Sequence, residues 1–363
     1  MNPIPQIQPW IDSNEAEAVR RAVASTFVTE HSETLRFERM LAQRTGAKHV
    51  LAYANATCGL FAVLRALGVG PGDEVIVPDL TFVATANAVI LAGAHPVFCD
   101  VEAQSLGLDA AKAQSLITDR TRAIIAVHLY GSAADAHNIA AVSRRFNLHF
   151  IEDAAQGLGV KLNGQHVGTF GEAGVISFYG NKTITTGEGG AILTQRDDLA
   201  RRCYRLKNHG RLEKGVFMHE EIGFNFSFTE MQAALGIVQL TKLDEIIARK
   251  AQIRRHYEQR LGELEWVRFQ TIPPNVSPVH WFTNMLCDDV DGLSEALAAQ
   301  GIATRRFFYP LHLQPCYRNL NPAPCPVSAR LYQTGLSLPS WCGIEPAQLD
   351  RVCEAIQAHG AAV

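Results

Sequence analysis

The sequence predicts an α/β protein: a mostly parallel central sheet covered by helices on both faces, followed by a smaller C-terminal α+β unit. Two observations point there. From Lys48 to Thr194, seven apolar β-type runs ("HVLAYA", "DEVIVP", "HPVFCD", "RAIIAVHLYG", "LHFIEDAA", "GVISFYG" and "GGAILT") alternate with helical patterns. Strands buried on both faces read as continuous apolar runs, as in parallel sheets. The chain is also long enough, at 363 residues with 47% hydrophobic and 19% charged, to build a large core and divide into a major and a minor domain.

The elements follow in order. A helix is expected from Asp12, where Glu15 completes a capping box. The run "HVLAYA" leads to a helix opening near Thr57, and "DEVIVP" leads to the helical "FVATANAVILAGA". Thr229 and Gln232 form a second capping box, opening one long helix through "EMQAALGIVQLTKLDEIIARKAQIRRHYEQRLGEL". After it come "HWFTNMLCDD", the helical "GLSEALAAQG", the strand-like "IATRRFFYP" and a terminal helix near Pro346 to His359. The domain boundary is expected near Lys250, giving a large unit of residues 1–249 and a small one of residues 250–363.

Composition removes several function classes. The net charge is −3 and no long Lys/Arg cluster offers a phosphate-backbone footprint, so polymeric nucleic acid is not an expected partner. The longest apolar helix candidate, Val83 to Ala94, is too short to span a bilayer, and the N-terminus shows no targeting pattern. A soluble, cytoplasmic protein is expected. Eight cysteines are scattered without C-x-x-C pairing, so neither a metal site nor a disulfide frame is expected.

Ligands of open parallel sheets bind beyond the carboxyl ends of the strands. Three groups stand there. "HFIEDAAQ" ends a strand on Asp153, "YANATCG" puts Thr57 and Cys58 at a helix N-terminus, and "VISFYGNK" delivers Ser177 and then Lys182. The stretch "FYGNKTITTGEGGAI" is not a phosphate-binding loop of the G-x-x-x-x-G-K-[ST] kind, because Asn181 interrupts the spacing. Taken singly, these residues have ordinary readings: Lys182 as a turn lysine, Asp153 or Thr57 as a helix cap, Phe82 as a core aromatic. As an ordered set they match what pyridoxal phosphate requires. Lys182 offers the Schiff-base amine and Asp153 the carboxylate for the ring nitrogen. Thr57, the Cys58 N–H and Ser177 serve the phosphate, and Phe82 gives the ring a flat apolar partner.

Over nearly its whole length the chain resembles the fold-type-I, pyridoxal phosphate-dependent sugar aminotransferases of the DegT/StrS type. The resemblance is carried by "GPGDEVIVPDLTFVATANAVILAGAHPVFCDV", "VHLYG", "IEDAAQ", "GEAGVISFYGNKTITTGEGGAILT", "NHG", "GFNFSFTEMQAALGIVQL" and "YPLHLQPCY", in that order. The "GNKTITTGEGG" form is most similar to the branch containing GDP-perosamine synthases. The resemblance implies a seven-stranded large sheet, with Lys182 and Asp153 as the catalytic pair. It also implies that Gln156 bonds the cofactor's phenolic oxygen, that Ala155 packs beneath the ring and that Phe82 stacks above it. Asn225 would reach the cofactor phosphate of a neighbouring subunit, which makes the protein a homodimer with shared sites. Arg305, Tyr309, His312 and His209 would border the nucleotide-linked keto sugar, and L-glutamate would be the amino donor. Two stretches depart from the family pattern: Asn55-Ala56-Thr57-Cys58 stands where many relatives read Ser-Gly-Thr, and Ser132 and Ala133 follow "HLYG". A dehydratase of the same family would carry histidine in place of Lys182. A non-catalytic regulator would lose Lys182 or Asp153, or add a DNA-binding module. An inosose is an alternative acceptor.

Overall fold

The computed structural model describes residues 2–212 and 215–360. Helices α1 (Ser13–Ala24) and α2 (Ser32–Thr45) precede a strict alternation: β1 (His49–Tyr53), α3 (Ala56–Ala66), β2 (Glu74–Pro78), α4 (Ala84–Leu91), β3 (His95–Cys99), α5 (Ala110–Ser115), β4 (Thr121–Val127), α6 (Ala136–Arg145) and β5 (His149–Asp153). A small hairpin of β6 (Lys161–Leu162) and β7 (Gln165–His166) leads to β8 (Ala173–Ser177) and β9 (Gly190–Thr194). Then come α7 (Asp197–Lys207), α8 (Glu230–Thr241) and α9 (Leu243–Leu261). The remainder holds β10 (Arg268–Phe269), β11 (Val276–Ser277), β12 (Thr283–Leu286), α10 (Val290–Ala299), β13 (Arg305–Arg306), α11 (Pro326–Thr334), β14 (Gly335–Leu338) and α12 (Pro346–Gly360).

The seven expected runs form one seven-stranded sheet in the order β1-β9-β8-β5-β4-β2-β3. From β8 to β3 the neighbours are parallel, while β9 lies antiparallel to both β8 and β1. Strands β2, β8 and β9 are buried along their whole length, which explains their unbroken apolar sequences. Strands β10, β12, β14 and β13 make a separate four-stranded sheet. Among the described residues, no helix is long and apolar enough to cross a membrane.

The single long helix expected after Thr229 is two helices, α8 and α9, broken at Lys242. No glycine or proline marks the break. At the break the Lys242 ammonium lies 2.7 Å from Asp12 and 2.7 Å from Glu15 at the start of α1, a tertiary contact that the local pattern does not announce. Both expected capping boxes are present, at Asp12 and at Thr229. Along α9 the core changes hands. Leu243 and Ile246 belong to the cluster under the large sheet, whereas Ile253, Tyr257 and Leu261 pack with α12 and the four-stranded sheet. We propose Lys250, midway, as the point of division. Ile4 crosses to the second cluster, pairing with Ile302.

Helix α2 has no side-chain cap of its own at His31. Glu230, buried at the first position of α8, takes that role by accepting from the N–H groups of His31, Glu33 and Thr34 and from the Thr34 hydroxyl, all at 2.7–2.8 Å. Burial pushes its carboxyl up, but these donors outweigh burial and hold it below the ordinary glutamate value of 4.5. A carboxylate held low contributes stability in full above that ordinary value and loses it as pH falls through the lower folded one. Glu230→Gln is therefore expected to cost about 1.5–3 kcal/mol in urea unfolding at neutral pH, with the gap to wild type shrinking in acid. A pH-independent gap would assign the effect to packing instead.

Candidate active site

At the carboxyl edge of the large sheet lies a cavity of about 480 Å³. Its wall gathers Thr57, Cys58, Phe82, Asp153, Ala155, Gln156, Ser177, Lys182 and Arg305, each expected from sequence. The topology explains the convergence. Strands β1, β5 and β8 end on this edge, and β9, running back, starts on it.

Asn55 is the N-cap of α3, and its Oδ1 accepts the Cys58 N–H at 2.9 Å. The helix opens near Thr57, as expected, and the Cys58 N–H, expected at a phosphate, is engaged by the Asn55 cap instead. The first-turn N–H groups of Ala56 and Thr57 have no acceptor within the helix and are free to serve an anion. Gly190, paired with Tyr53 in the sheet, is what lets β9 come this close: a Cβ there would sit 2.5 Å from the Ala56 nitrogen.

Asp153 is buried at the end of β5. Its Oδ2 accepts from the Thr85 hydroxyl at 2.7 Å and its Oδ1 from the Ala155 N–H at 3.1 Å. Burial pushes its carboxyl up, opposed by those donors and by the Lys182 charge. A carboxylate has about four acceptor positions, so capacity remains for a further donor. Lys182 makes no hydrogen bond or ion pair through Nζ among the described residues. Burial pulls it down to about 8, with the Asp153 charge opposing and the Arg305 charge adding to the fall. Such an amine is substantially neutral just above neutral pH, as a nucleophile or base must be. Gln156 gives its Oε1 to the Tyr130 N–H at 2.6 Å, leaving its amide nitrogen to serve a ligand. An anion site with free N–H groups, a buried carboxylate with spare capacity and an unbonded amine together fit pyridoxal phosphate.

Four expected residues stand outside this wall. Asn225 is exposed and bridges to Asn208. His209 is exposed in a left-handed turn at φ 57°. Tyr309 is 40% exposed and meets Tyr332 edge-on. His312 is held by Asp79, whose two carboxylate oxygens lie 2.7 Å from the His312 N–H and Nδ1. That contact pins the "YPLHLQPCY" loop to the end of β2. The sequence reading missed Thr81, Tyr179, Glu188, Trp281 and Phe308, all on the cavity wall. Thr81 and Tyr179 follow strand ends and were within reach of the same rule. Trp281 and Phe308 come from the far third of the chain, where no local signal ties them to Lys182.

Gly190→Ala would drive a methyl into the N-terminus of α3. Overpacking of this kind costs about 1–3 kcal/mol, so the dissociation constant for pyridoxal phosphate is expected to rise roughly tenfold or more. Equilibrium dialysis measures it. Wild-type affinity in a folded variant would separate the phosphate from the α3 terminus.

Comparison with known proteins bears on the same residues. The family model described as the DegT/DnrJ/EryC1/StrS aminotransferase family matches residues 9–357. Similar curated proteins include the GDP-perosamine synthase of Caulobacter vibrioides, 38% identical over 98% of this chain and 99% of that protein, and that of Vibrio cholerae, 35% identical over 98% and 99%. Among solved structures, the aminotransferase TlmJ from Streptoalloteichus hindustanus superposes with a TM-score of 0.96 at 30% identity, covering 99% of this chain and 100% of that one. DesV of S. venezuelae does so with a TM-score of 0.93 at 32% identity, covering 99% and 100%. With a family match that begins ahead of the first helix and ends within the last, the chain belongs to the DegT/DnrJ/EryC1/StrS aminotransferase family and is a pyridoxal phosphate-dependent sugar aminotransferase.

Proposed function

We propose that this enzyme moves an amino group from L-glutamate to a GDP-linked 4-keto-6-deoxy sugar, GDP-4-keto-6-deoxymannose or a close relative, giving GDP-perosamine or a similar 4-amino sugar. It would act in the cytoplasm as a homodimer. The observation that carries the acceptor is full-length similarity, at 35–38% identity, to GDP-perosamine synthases from three organisms, the third being Escherichia coli O157:H7.

Bound pyridoxal phosphate supplies an electron sink for the C–H bond broken at the amino donor. The chain's own groups do the rest. The Ala56 and Thr57 N–H groups with the Thr57 and Ser177 hydroxyls would hold the phosphate, Asp153 the ring nitrogen's proton and Gln156 the phenolic oxygen. Lys182 would release the cofactor to the donor, accept the donor's proton and return one to the sugar carbon. A lysine drawn down to about 8 is suited to both tasks, because its neutral and charged forms coexist near neutral pH. Arg305 makes no ion pair among the described residues and lies over the Phe282 ring at 5.4 Å. Its guanidinium is therefore free for an anionic group, the donor carboxylate or the sugar's diphosphate. The exposure of Asn225 supports its reaching a partner's site. So does the apolar exposure nearby: Phe217, Met218 and Ile222 are each at least 74% exposed, as residues covered by a second subunit would be.

Asp153→Asn removes the charge that would keep the ring nitrogen protonated. Turnover is expected to fall at least about tenfold, since a lost charge-assisted bond costs roughly 1.5–3 kcal/mol. The same change removes the carboxylate that supports the Lys182 ammonium. Lys182 should then lose its proton more readily, and the rising limb of the pH–rate profile should move to lower pH. Normal turnover with an unmoved limb would reduce Asp153 to a cap for the turn after β5.

The acceptor is tested by loading the enzyme with amino groups from glutamate and following recovery of the yellow form on addition of GDP-, dTDP- and UDP-linked 4-keto sugars and of an inosose. Recovery with the GDP-linked sugar at least about tenfold faster than with the others is expected, a gap of about 1.4 kcal/mol. Preference for another nucleotide, or for the inosose, would remove the GDP-perosamine reading and leave the aminotransferase.

A further inference from the structure

We propose that Trp281 is a positioning residue for Lys182: its indole face is the resting place of the lysine's ammonium when the lysine is protonated and carries no bond to the cofactor. The proposal rests on Lys182 being the Schiff-base lysine. Nζ of Lys182 stands 4.3 Å from the centre of the Trp281 ring. The same indole donates its N–H to the carbonyl of Asn181 at 2.6 Å, one residue before the lysine. One side chain thus holds both the backbone and the tip of the lysine.

The ring is itself fixed from behind. Trp281 is 1% exposed, and its carbonyl accepts from Lys250 Nζ at 2.8 Å, an ammonium that also bonds the Ser340 carbonyl at 2.8 Å. Phe282 stacks on the indole at 3.8 Å, and Tyr130 lies nearly parallel at 6.3 Å. On the backbone side, Gly131 approaches so closely that a Cβ there would sit 2.8 Å from the Trp281 nitrogen. The indole therefore cannot turn away, whereas the lysine's four-carbon stem rises from a loop with Gly180 before it and Gly187 after it. The rigid partner locates the flexible one.

An indole face attracts an ammonium and is nearly indifferent to a neutral amine. Trp281 therefore holds the lysine in the protonated state, the state in which it has a proton to deliver, and lets the neutral amine leave. The other charges around Nζ are the Asp153 carboxylate, the Arg305 guanidinium and the Glu188 carboxylate on the cavity wall, with Lys250 beyond the ring. None of them bonds Nζ.

The test uses the full-length enzyme converted by glutamate to its pyridoxamine phosphate form, in which Lys182 is unbonded. Acetic anhydride labelling of Lys182, followed by mass spectrometry across pH, reads its titration midpoint. Loss of the indole destabilises the ammonium, so Trp281→Leu is expected to lower that midpoint by about half to one unit, and Trp281→Phe, which keeps a ring, by less than half of that. In the same order kcat should fall, since the lysine moves the protons of the reaction. An unchanged midpoint in Trp281→Leu overturns the proposal. Tryptophan emission gives a second measurement that needs no change at Trp281. Wild type should show a step in emission whose midpoint matches the labelling midpoint of Lys182, and Lys182→Ala, carrying the same cofactor form, should not. A wild type without the step, or a step that survives in Lys182→Ala, also overturns it. Lys182→Ala further separates this contact from the reading beneath it: a variant that keeps turnover and the visible band of a lysine-linked cofactor removes the catalytic assignment and the proposal together. A variant that loses both, beside a wild type without the emission step, removes the proposal alone.

Discussion

The cavity depends on one pair of backbone hydrogen bonds. Phe178, just past β8, donates its N–H to the Gly189 carbonyl and accepts at its own carbonyl from the Thr186 N–H, both at 2.9 Å. These bonds close the loop that carries Lys182 and set the start of β9 beside the end of β8. Because β9 then runs antiparallel to β8, the loop leaves and re-enters the sheet at the same edge. Had the chain crossed over to continue the parallel order, the lysine would have been carried away from Asp153. The reversal also inserts β9 between β8 and β1, and so brings Gly190 against the opening turn of α3. Amine, carboxylate and anion site are thus positioned by one change of strand direction.

The electrostatics follow from the same edge. Lys182 and Asp153 are both withdrawn from water, and each is pushed toward its neutral form by burial and back toward its charged form by the other. Arg305, arriving from β13, tips this balance against the lysine's charge. Two buried groups of opposite sign hold each other in a responsive range, where a lone buried lysine or aspartate would simply neutralise.

Much of this was legible in the chain. Strand runs with buried ends, a lysine among small residues and an aspartate closing an apolar run are local signals, and the structure brings Lys182, Asp153, Ser177 and Thr57 to one wall. The break at Lys242 was not legible, because no glycine or proline marks it and its ion-pair partners, Asp12 and Glu15, lie far off in the chain. The fate of the Cys58 N–H was harder to read: a competing acceptor, Asn55, stands three residues before it and takes the bond. Trp281 carries no mark of its own in "SPVHWFTN". Its importance comes from where β12 begins, which only the assembled pair of sheets determines.

The pairing of Ile4 with Ile302 has a consequence for the order of assembly. The Ile4 N–H reaches the Gly301 carbonyl at 2.8 Å, and Ala303 returns a bond to the Ile4 carbonyl at 2.9 Å. During synthesis the segment around Ile4 leaves the ribosome long before its partner exists. The large sheet, whose strands are all complete by Thr194, has its contacts available first, while the segment around Ile4 cannot make this pairing until residues 301–303 have emerged. A contact spanning so much of the chain is slow to close. The stretch before α1 therefore cannot dock on the chain beside Arg305 until residues 301–303 have been made, well after the strands that carry the lysine loop.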